Sequence, residues 1–177
     1  MDAKRNTLLI GLAFIVLLAS AYVENMIFFG VVGDILSNQL LSLVMLFIHN
    51  VLAVSLILLG MNFYVNLVVS DFFKREKYAY IVLEHPRTFA IVFTAMVLFL
   101  SILREASLLG GVKVEDLPLI LLVSTPMAIV EGYGIFLTIK KTLNRTMSMK
   151  DLAYIYGIFF IAAIIEVGFI NLLRLSQ

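Results

Sequence analysis

The sequence predicts an all-α integral membrane protein, a polytopic bundle of about five transmembrane helices whose N-terminus is cytoplasmic. Two observations lead to this prediction. Of the 177 residues, 62% are hydrophobic and 14% are charged, whereas soluble domains have about 45–50% apolar and about 25% charged residues. Long apolar stretches also alternate with short polar segments, with no Pro-, Gly- or Ser-rich linker between them. We therefore expect a single transmembrane domain over residues 1–177.

Five apolar stretches are predicted as spans. They cover residues 7–24, 40–70, 87–106, 117–139 and 151–173, and a spanning helix needs about 17–25 apolar residues. The second stretch is long enough to be two spans or a re-entrant hairpin broken at Gly60, but we favour one long helix. The first also resembles a cleavable signal peptide, with Lys4 and Arg5 before it and Ala-Ser-Ala at 19–21, and we favour an uncleaved span. Residues 25–39 lie either at the outer interface or folded back among the helices.

The distribution of basic residues predicts the orientation. Five spans with a cytoplasmic N-terminus place ten of the thirteen Lys and Arg residues inside and three outside, as expected because cytoplasmic loops carry an excess of Lys and Arg. Two full spans within residues 40–70 would destroy this alternation. We expect a multi-pass protein of the cell membrane that has the lipid bilayer around it. The basic residues are too sparse for a nucleic-acid surface.

Motifs for catalysis and metal binding are missing from the sequence. There is no cysteine, which excludes disulfides, thiol catalysis and thiolate ligands. We find no His-Glu-x-x-His, no nucleophile elbow and no phosphate-binding loop, and no paired glutamates of the prenyl-protein endopeptidase kind. We therefore expect no catalytic residue, no cofactor and no metal site, and no enzyme activity. A metal site formed by His49, Glu131 and Glu166 is the alternative.

Ionisable residues inside spans are the candidate functional residues, because each costs about 2.5–3.5 kcal/mol to insert and usually needs a partner. Glu131 lies near the middle of the fourth span, on a face of small and polar residues, and follows Pro126 by five positions. Pro126 removes a backbone donor and allows a kink. Glu131 is therefore expected to bind a cation, to relay a proton or to accept from backbone donors freed at the kink. The alternative is that it hydrogen-bonds across the bundle and only fixes its packing.

Other polar positions in the spans are also candidates. Glu166 in the fifth span is predicted to pair with His49 or Asn50 of the second span, because their depths are similar. Asn62 and Asn66, four residues apart, lie on a different face of the second span. Because a single long helix would then show polar groups on two sides, we expect either that Gly60 redirects the helix or that one side meets another subunit. At the ends of the first and third spans, Glu24 is predicted to pair with Arg104.

Two segments resemble the stage II sporulation protein M family of membrane proteins. Residues 47–51 (Phe-Ile-His-Asn-Val), followed by Gly60, resemble the family's Asn-containing helix. Residues 125–131 resemble its Pro-His-Gly-x-x-Glu pattern, with Met127 and Ala128 in place of His-Gly. The resemblance implies a multi-span bundle in which Asn50, Pro126 and Glu131 are the family-typical positions. It also implies action within membrane complexes that remodel the cell envelope, without established enzymatic chemistry.

Two functions remain open on the sequence. The first is a non-enzymatic scaffold, either a homo-oligomer or a component bound to another membrane protein. The small loops and the polar face left over on the second span favour it. The second is a channel or transporter for ions or small solutes, with Glu131 and Glu166 at membrane depth. Half-helices broken near the midplane are a known transporter device.

Overall fold

The described residues are entirely α-helical in their regular structure. The computed structural model describes residues 3–30, 38–70, 80–108 and 117–175, without the side chains of 3–4, 29–30, 102–108, 117–124, 170 and 172–175. The helices are α1 (Ala3–Gly30), α2 (Gln39–Val69), α3 (Ile81–Glu84), α4 (Pro86–Leu108), α5 (Leu117–Leu143) and α6 (Met149–Leu175). The prediction of an all-α fold is confirmed for this part of the chain.

Three of these helices have the length and apolar composition needed to cross a membrane. They contain the segments Arg5–Phe28, Gln39–Val69 and Met149–Phe169, of 24, 31 and 21 residues. In α4, Pro86–Ser101 is a shorter apolar helix. These segments are compatible with an integral membrane protein. The count of five spans and the cytoplasmic N-terminus stay predictions.

Helix boundaries differ from the predicted spans mainly in α1. The first span was predicted to end near residue 24, but α1 continues to Gly30. The physical reason is that Phe28, 7% exposed, packs against Leu46 and Ala163 and so continues the buried face. Part of the segment 25–39 is thus helical, while residues 31–37 lie outside the described residues. The favoured single helix is seen in α2, which runs unbroken through Gly60.

Side-chain caps explain where two helices begin, and a left-handed backbone conformation marks where one ends. Asn38 Oδ1 accepts the backbone N–H groups of Leu40 and Leu41 at 3.1 and 3.2 Å and starts α2. Ser148 and Asp151 form a reciprocal capping box at the start of α6, with Asp151 N–H donating to Ser148 Oγ at 3.2 Å. Arg145, with φ 56°, follows the end of α5 in the left-handed conformation that usually takes glycine.

The helix pairs α1–α2, α2–α6, α4–α5 and α5–α6 pack antiparallel. Helix α2 contacts α1, α5 and α6, and α5 also contacts α4 and α6. The register of α1 against α2 is visible where the Phe63 ring lies over Gly11 and the Phe14 ring over Gly60. Helices α2, α5 and α6 form the centre, and α1 and α4 flank it.

Small residues allow the close helix contacts. A Cβ at Gly11 would lie 2.8 Å from Phe63, and one at Gly134 would lie 2.7 Å from Phe159. In lipid there is no hydrophobic drive between helices, so association depends on such close packing. Many large apolar side chains, such as Leu8 at 74% exposed, face outward. This exposure is typical of a surface that contacts lipid.

Candidate functional site

A carboxylate–imidazole pair joins α1 to α2. His49 Nδ1 lies 3.1 Å from Glu24 Oε2, and the two side chains are 14% and 11% exposed. When the carboxyl is ionised it can only accept, and the Nδ1–H of His49 is then the donor of this bond. The ring of Phe28, one turn after Glu24 on α1, stacks on the imidazole with centroids 5.8 Å apart. The second oxygen, Glu24 Oε1, is buried and has no hydrogen-bond partner among the described residues.

Asn50 follows His49 but faces the centre of the bundle. It is 8% exposed and shares its helix face with Leu46 and Val54, which belong to the buried core. Its amide nitrogen Nδ2 has no hydrogen-bond partner within the described ranges. A buried donor in this state costs about 1–3 kcal/mol. Asn50 therefore has a polar group available for a water, a ligand or another chain.

The fourth predicted span places Glu131 among close helix contacts. Pro126 is inside α5 rather than at its end, and Glu131 is half-buried. At the next position, a Cβ on Gly132 would lie 2.8 Å from Leu98 and 3.6 Å from Thr94 of α4. The hydroxyl Oγ1 of Thr94 is buried and without a hydrogen-bond partner in the described part of the chain.

Contact registers place these polar residues at one level of the bundle. Ser55 Oγ lies 2.9 Å from Tyr156 Oη, so Asn50, five residues earlier on the antiparallel α2, is level with about residue 161 of α6. The contact of Gly134 with Phe159 puts Glu131 level with about residue 162 by the same counting.

The resulting set has one or two members from each of four helices. Glu24 contacts His49, and Thr94 lies next to position 132, so both are at the level of Asn50 and Glu131. We call these five residues, Glu24, His49, Asn50, Thr94 and Glu131, the polar layer. The sequence did not predict this grouping. Glu24 and Thr94 were missed as site residues because nothing in their local sequence signals the register between helices.

Glu166 lies close to this level on α6. It is half-buried, and the neighbouring Ala163 packs in one cluster with Phe28 and Leu46. That cluster also contacts Val167 and Phe47. Glu166 is thus about one turn beyond the polar layer, and its pairing with His49 or Asn50 stays a prediction. The predicted partner of Glu24, Arg104, has its side chain outside the described residues.

Asn62 and Asn66 bond within their own helix. Asn62 Nδ2 donates to the carbonyl oxygen of Leu58 at 3.0 Å, and Asn66 Nδ2 donates to that of Asn62 at 2.8 Å. Polar side chains in helices commonly donate in this way to the carbonyl one turn earlier. The amide donors on this face are therefore used locally, which weakens the expectation that the face was shaped for a second subunit.

A charged cluster lies at the opposite end of the bundle. Lys141 Nζ donates to Asp151 Oδ1 at 2.8 Å, and Ser148 Oγ donates to Asp151 Oδ2 at 2.7 Å. This cluster ties the end of α5 to the start of α6. The spacing Ser-x-x-Asp before an apolar run is a capping-box signal that could have been found in the sequence.

The alternative metal site is not supported. Among the residues with described positions, no three His, Cys, Asp or Glu side chains come together in a way that could hold a metal ion. His49, Glu131 and Glu166 are all included in this set. The polar layer is instead a set of hydrogen-bonding groups distributed over several helices.

Fold and site together define a class of protein. The chain is an all-helical bundle whose long apolar helices are compatible with an integral membrane protein, and it has a layer of polar groups among them. No protein-family model matches the chain, and no curated protein and no solved structure matches it significantly. The predicted resemblance to the stage II sporulation protein M family stays a prediction.

Proposed function

We propose that this chain is a multi-pass protein of the cell membrane, with five spans and a cytoplasmic N-terminus, that acts as a scaffold without enzymatic chemistry. It would work as a homo-oligomer or as a component bound to another membrane protein. One observation carries the proposal. The bundle is closed by apolar side chains between the polar layer and the basic end of the helices.

This closed region is a buried core shared by four helices. It includes Ile135, Ile139 and Leu143 of α5, packed with residues of α2, α4 and α6, namely Val54, Val65, Ala90, Ile155 and Phe159. From Glu131 to Leu143 the helix rises about 18 Å. The two buried hydroxyls along this stretch, Thr138 and Thr142, donate to carbonyl oxygens of their own helix at 2.8 and 2.7 Å. No polar lining for a solute is visible among these residues.

Helix packing supports the proposed orientation. Because α1 and α2, α2 and α6, α6 and α5, and α5 and α4 are antiparallel pairs, the start of α1, the start of α4, the end of α5 and the start of α6 lie at the same end. These termini hold Arg5, Arg87, Lys140, Lys141 and Lys150. Basic residues concentrated at one end are typical of a cytoplasmic face.

The topology can be tested with single cysteines, since the native chain has none. Asn38→Cys, before α2, should react with a membrane-impermeant maleimide on intact cells. Thr146→Cys, between α5 and α6, should react only after permeabilisation. The two positions serve as controls for each other. The opposite pattern, or equal labelling of both, would reject the orientation.

The scaffold proposal is tested by the mass of the protein extracted in mild detergent. Native mass spectrometry should find a dimer or larger oligomer, or a co-purified membrane protein in fixed ratio. A monomer without any partner at all detergent concentrations would contradict it. If the resemblance to the stage II sporulation protein M family is correct, Asn50→Ala and Glu131→Ala should weaken this assembly more than a substitution at a lipid-facing position such as Ile161.

A channel or transporter is the second candidate. The polar groups that favour it are Asn50 Nδ2 and Thr94 Oγ1, which are buried and have no hydrogen-bond partner within the described residues. The scaffold proposal predicts that ion flux into liposomes containing the wild-type protein is no higher than into empty liposomes. If flux occurs, is lost in Glu131→Gln and Glu166→Gln, and persists in Glu84→Gln, whose carboxyl is exposed on α3, the scaffold proposal is wrong.

A further inference from the structure

A shallow groove runs along the outer side of α1 and ends at the polar layer. Its volume is about 570 Å³. Glu24 lines it together with small and aliphatic side chains of α1 between Val16 and Ile27, and Met45 of α2 closes one edge. From Val16 to Ile27 the helix rises about 16 Å. The groove is therefore long, narrow and apolar, with one carboxyl group near one end.

Glu24 has an acceptor that no described residue satisfies. Oε2 binds His49, but Oε1 is buried and has no hydrogen-bond partner in the described part of the chain. A buried acceptor left unpaired is costly, and the cost is greater for a charged group. A donor from outside the chain would remove this cost. Glu24 lines the groove, so a rotation of its side chain would bring Oε1 to a donor bound there.

The position of Glu24 along α1 decides what kind of molecule fits. Between Arg5 and Glu24 the chain has no charged residue, and the proposed first span ends at Glu24. In the proposed topology the carboxyl of Glu24 therefore lies at the level of the lipid headgroups. The rest of the groove points back along that stretch toward Val16. A molecule bound here needs a donor at the interface and an apolar chain that extends into the hydrocarbon region.

We propose that this groove binds a phospholipid with a primary ammonium headgroup, whose N–H donates to Glu24 Oε1 while an acyl chain lies along α1 between Ala19 and Val16. A phosphatidylethanolamine has this donor and this shape. A phosphatidylcholine has the same charge and chains but no N–H, so it cannot make the bond. The bilayer supplies such lipids to any helix face not covered by protein. The inference rests on the proposed insertion of α1 in the membrane.

The test is native mass spectrometry of the full-length protein with phosphatidylethanolamine and phosphatidylcholine of identical chains, added in equal amounts. We expect about a tenfold preference for phosphatidylethanolamine, the ratio that corresponds to one charge-assisted hydrogen bond of about 1.4 kcal/mol. Glu24→Gln keeps the shape and an acceptor for His49 but removes the charge, so the ratio should fall toward one.

Two further variants test whether the lipid preference depends on the groove itself as well as on the Glu24–His49 pair. Ala19→Phe fills the groove five positions before Glu24 and should abolish the preference. Met26→Phe adds the same ring at an exposed position of α1 that does not line the groove, and should leave the preference unchanged.

Three results would overturn the proposal: equal retention of both lipids by the wild-type protein, an unchanged ratio in Glu24→Gln, or a preference that persists in Ala19→Phe. A dimer that Ala19→Phe converts to a monomer would assign the groove to a second copy of the chain instead. These outcomes do not affect the cysteine labelling, so failure here is distinguishable from failure of the proposed topology.

Discussion

Replacing Gly134 by alanine tests the packing of α5 on α6 directly. The added Cβ would lie 2.7 Å from Cε2 and 3.0 Å from Cζ of Phe159. Carbon atoms in good contact are about 3.5–4.0 Å apart, so the ring must move by roughly 1 Å. Phe159 is 3% exposed and packs in the core with Ile135 and Ile155. It has little room to move away.

The expected magnitude is the difference of two opposing effects. Alanine in place of glycine inside a helix gains about 0.5–1 kcal/mol from backbone entropy. Overfilling a packed core costs about 1–3 kcal/mol. We therefore expect Gly134→Ala to lower the free energy of unfolding by about 1–2 kcal/mol.

Other glycines provide matched controls. A Cβ on Gly157 or Gly168 of α6 would meet nothing within 4 Å, so Gly157→Ala and Gly168→Ala should be neutral or gain up to about 1 kcal/mol. Gly132 is an intermediate case, because the nearest atom at 2.8 Å is the terminal methyl of Leu98, which can rotate away. Gly132→Ala should therefore cost less than Gly134→Ala.

The assay is reversible unfolding in mixed micelles, in which the fraction of denaturing detergent is raised and helicity is followed by circular dichroism. Phe159→Leu shortens the obstructing side chain, so the double variant with Gly134→Ala should lose less stability than the two single losses together, by about 0.5–3 kcal/mol. If Gly134→Ala is as stable as Gly157→Ala, or the two losses simply add, the close contact of α5 and α6 does not exist as described.

Three further predictions use the same unfolding measurement. Thr94→Val removes a buried hydroxyl that has no partner among the described residues and should raise the free energy of unfolding by about 1 kcal/mol. Thr138→Val removes a hydroxyl bonded to a backbone carbonyl and should not raise it. Equal effects of the two substitutions would show that the Thr94 hydroxyl is hydrogen-bonded after all. Arg145→Gly should gain about 1 kcal/mol because the φ of 56° disfavours a side chain, and a loss would show that the turn is built differently. Tyr156→Phe removes the 2.9 Å contact with Ser55 and should cost about 0.6 kcal/mol, a typical value between membrane helices; Ser55→Ala should add nothing to that loss.

Much of the helical fold follows from the sequence, because apolar length is a local property. The uninterrupted run from residue 40 to 70 predicted one long helix, and α2 spans Gln39–Val69. The end of α1 was placed too early because the sequence loses its apolar character at Glu24 and Asn25. The helix nevertheless continues, since Phe28 finds a buried place against a neighbouring helix.

Side-chain pairing was harder to predict, because it depends on the register between helices. The sequence placed His49 at a depth similar to Glu166, and that pairing stays a prediction. It did not predict the contact of His49 with Glu24 across the α1–α2 hairpin. Composition carries no information on which turn of α1 faces which turn of α2. That register is set by contacts such as Gly11 with Phe63, where a small residue admits a ring.

The arrangement of polar and apolar layers bears on how the protein can act. A solute that entered at the polar layer would have to pass the contact of Gly134 with Phe159 and then the core around Ile139, which is 0% exposed. Opening that route requires α5 and α6 to separate, and their ends are held together by the bond between Lys141 and Asp151. Glu24 of the polar layer, by contrast, lines the groove on the outer side of α1. This arrangement supports the proposal that the bundle acts laterally, on lipid or another membrane chain, rather than along its axis.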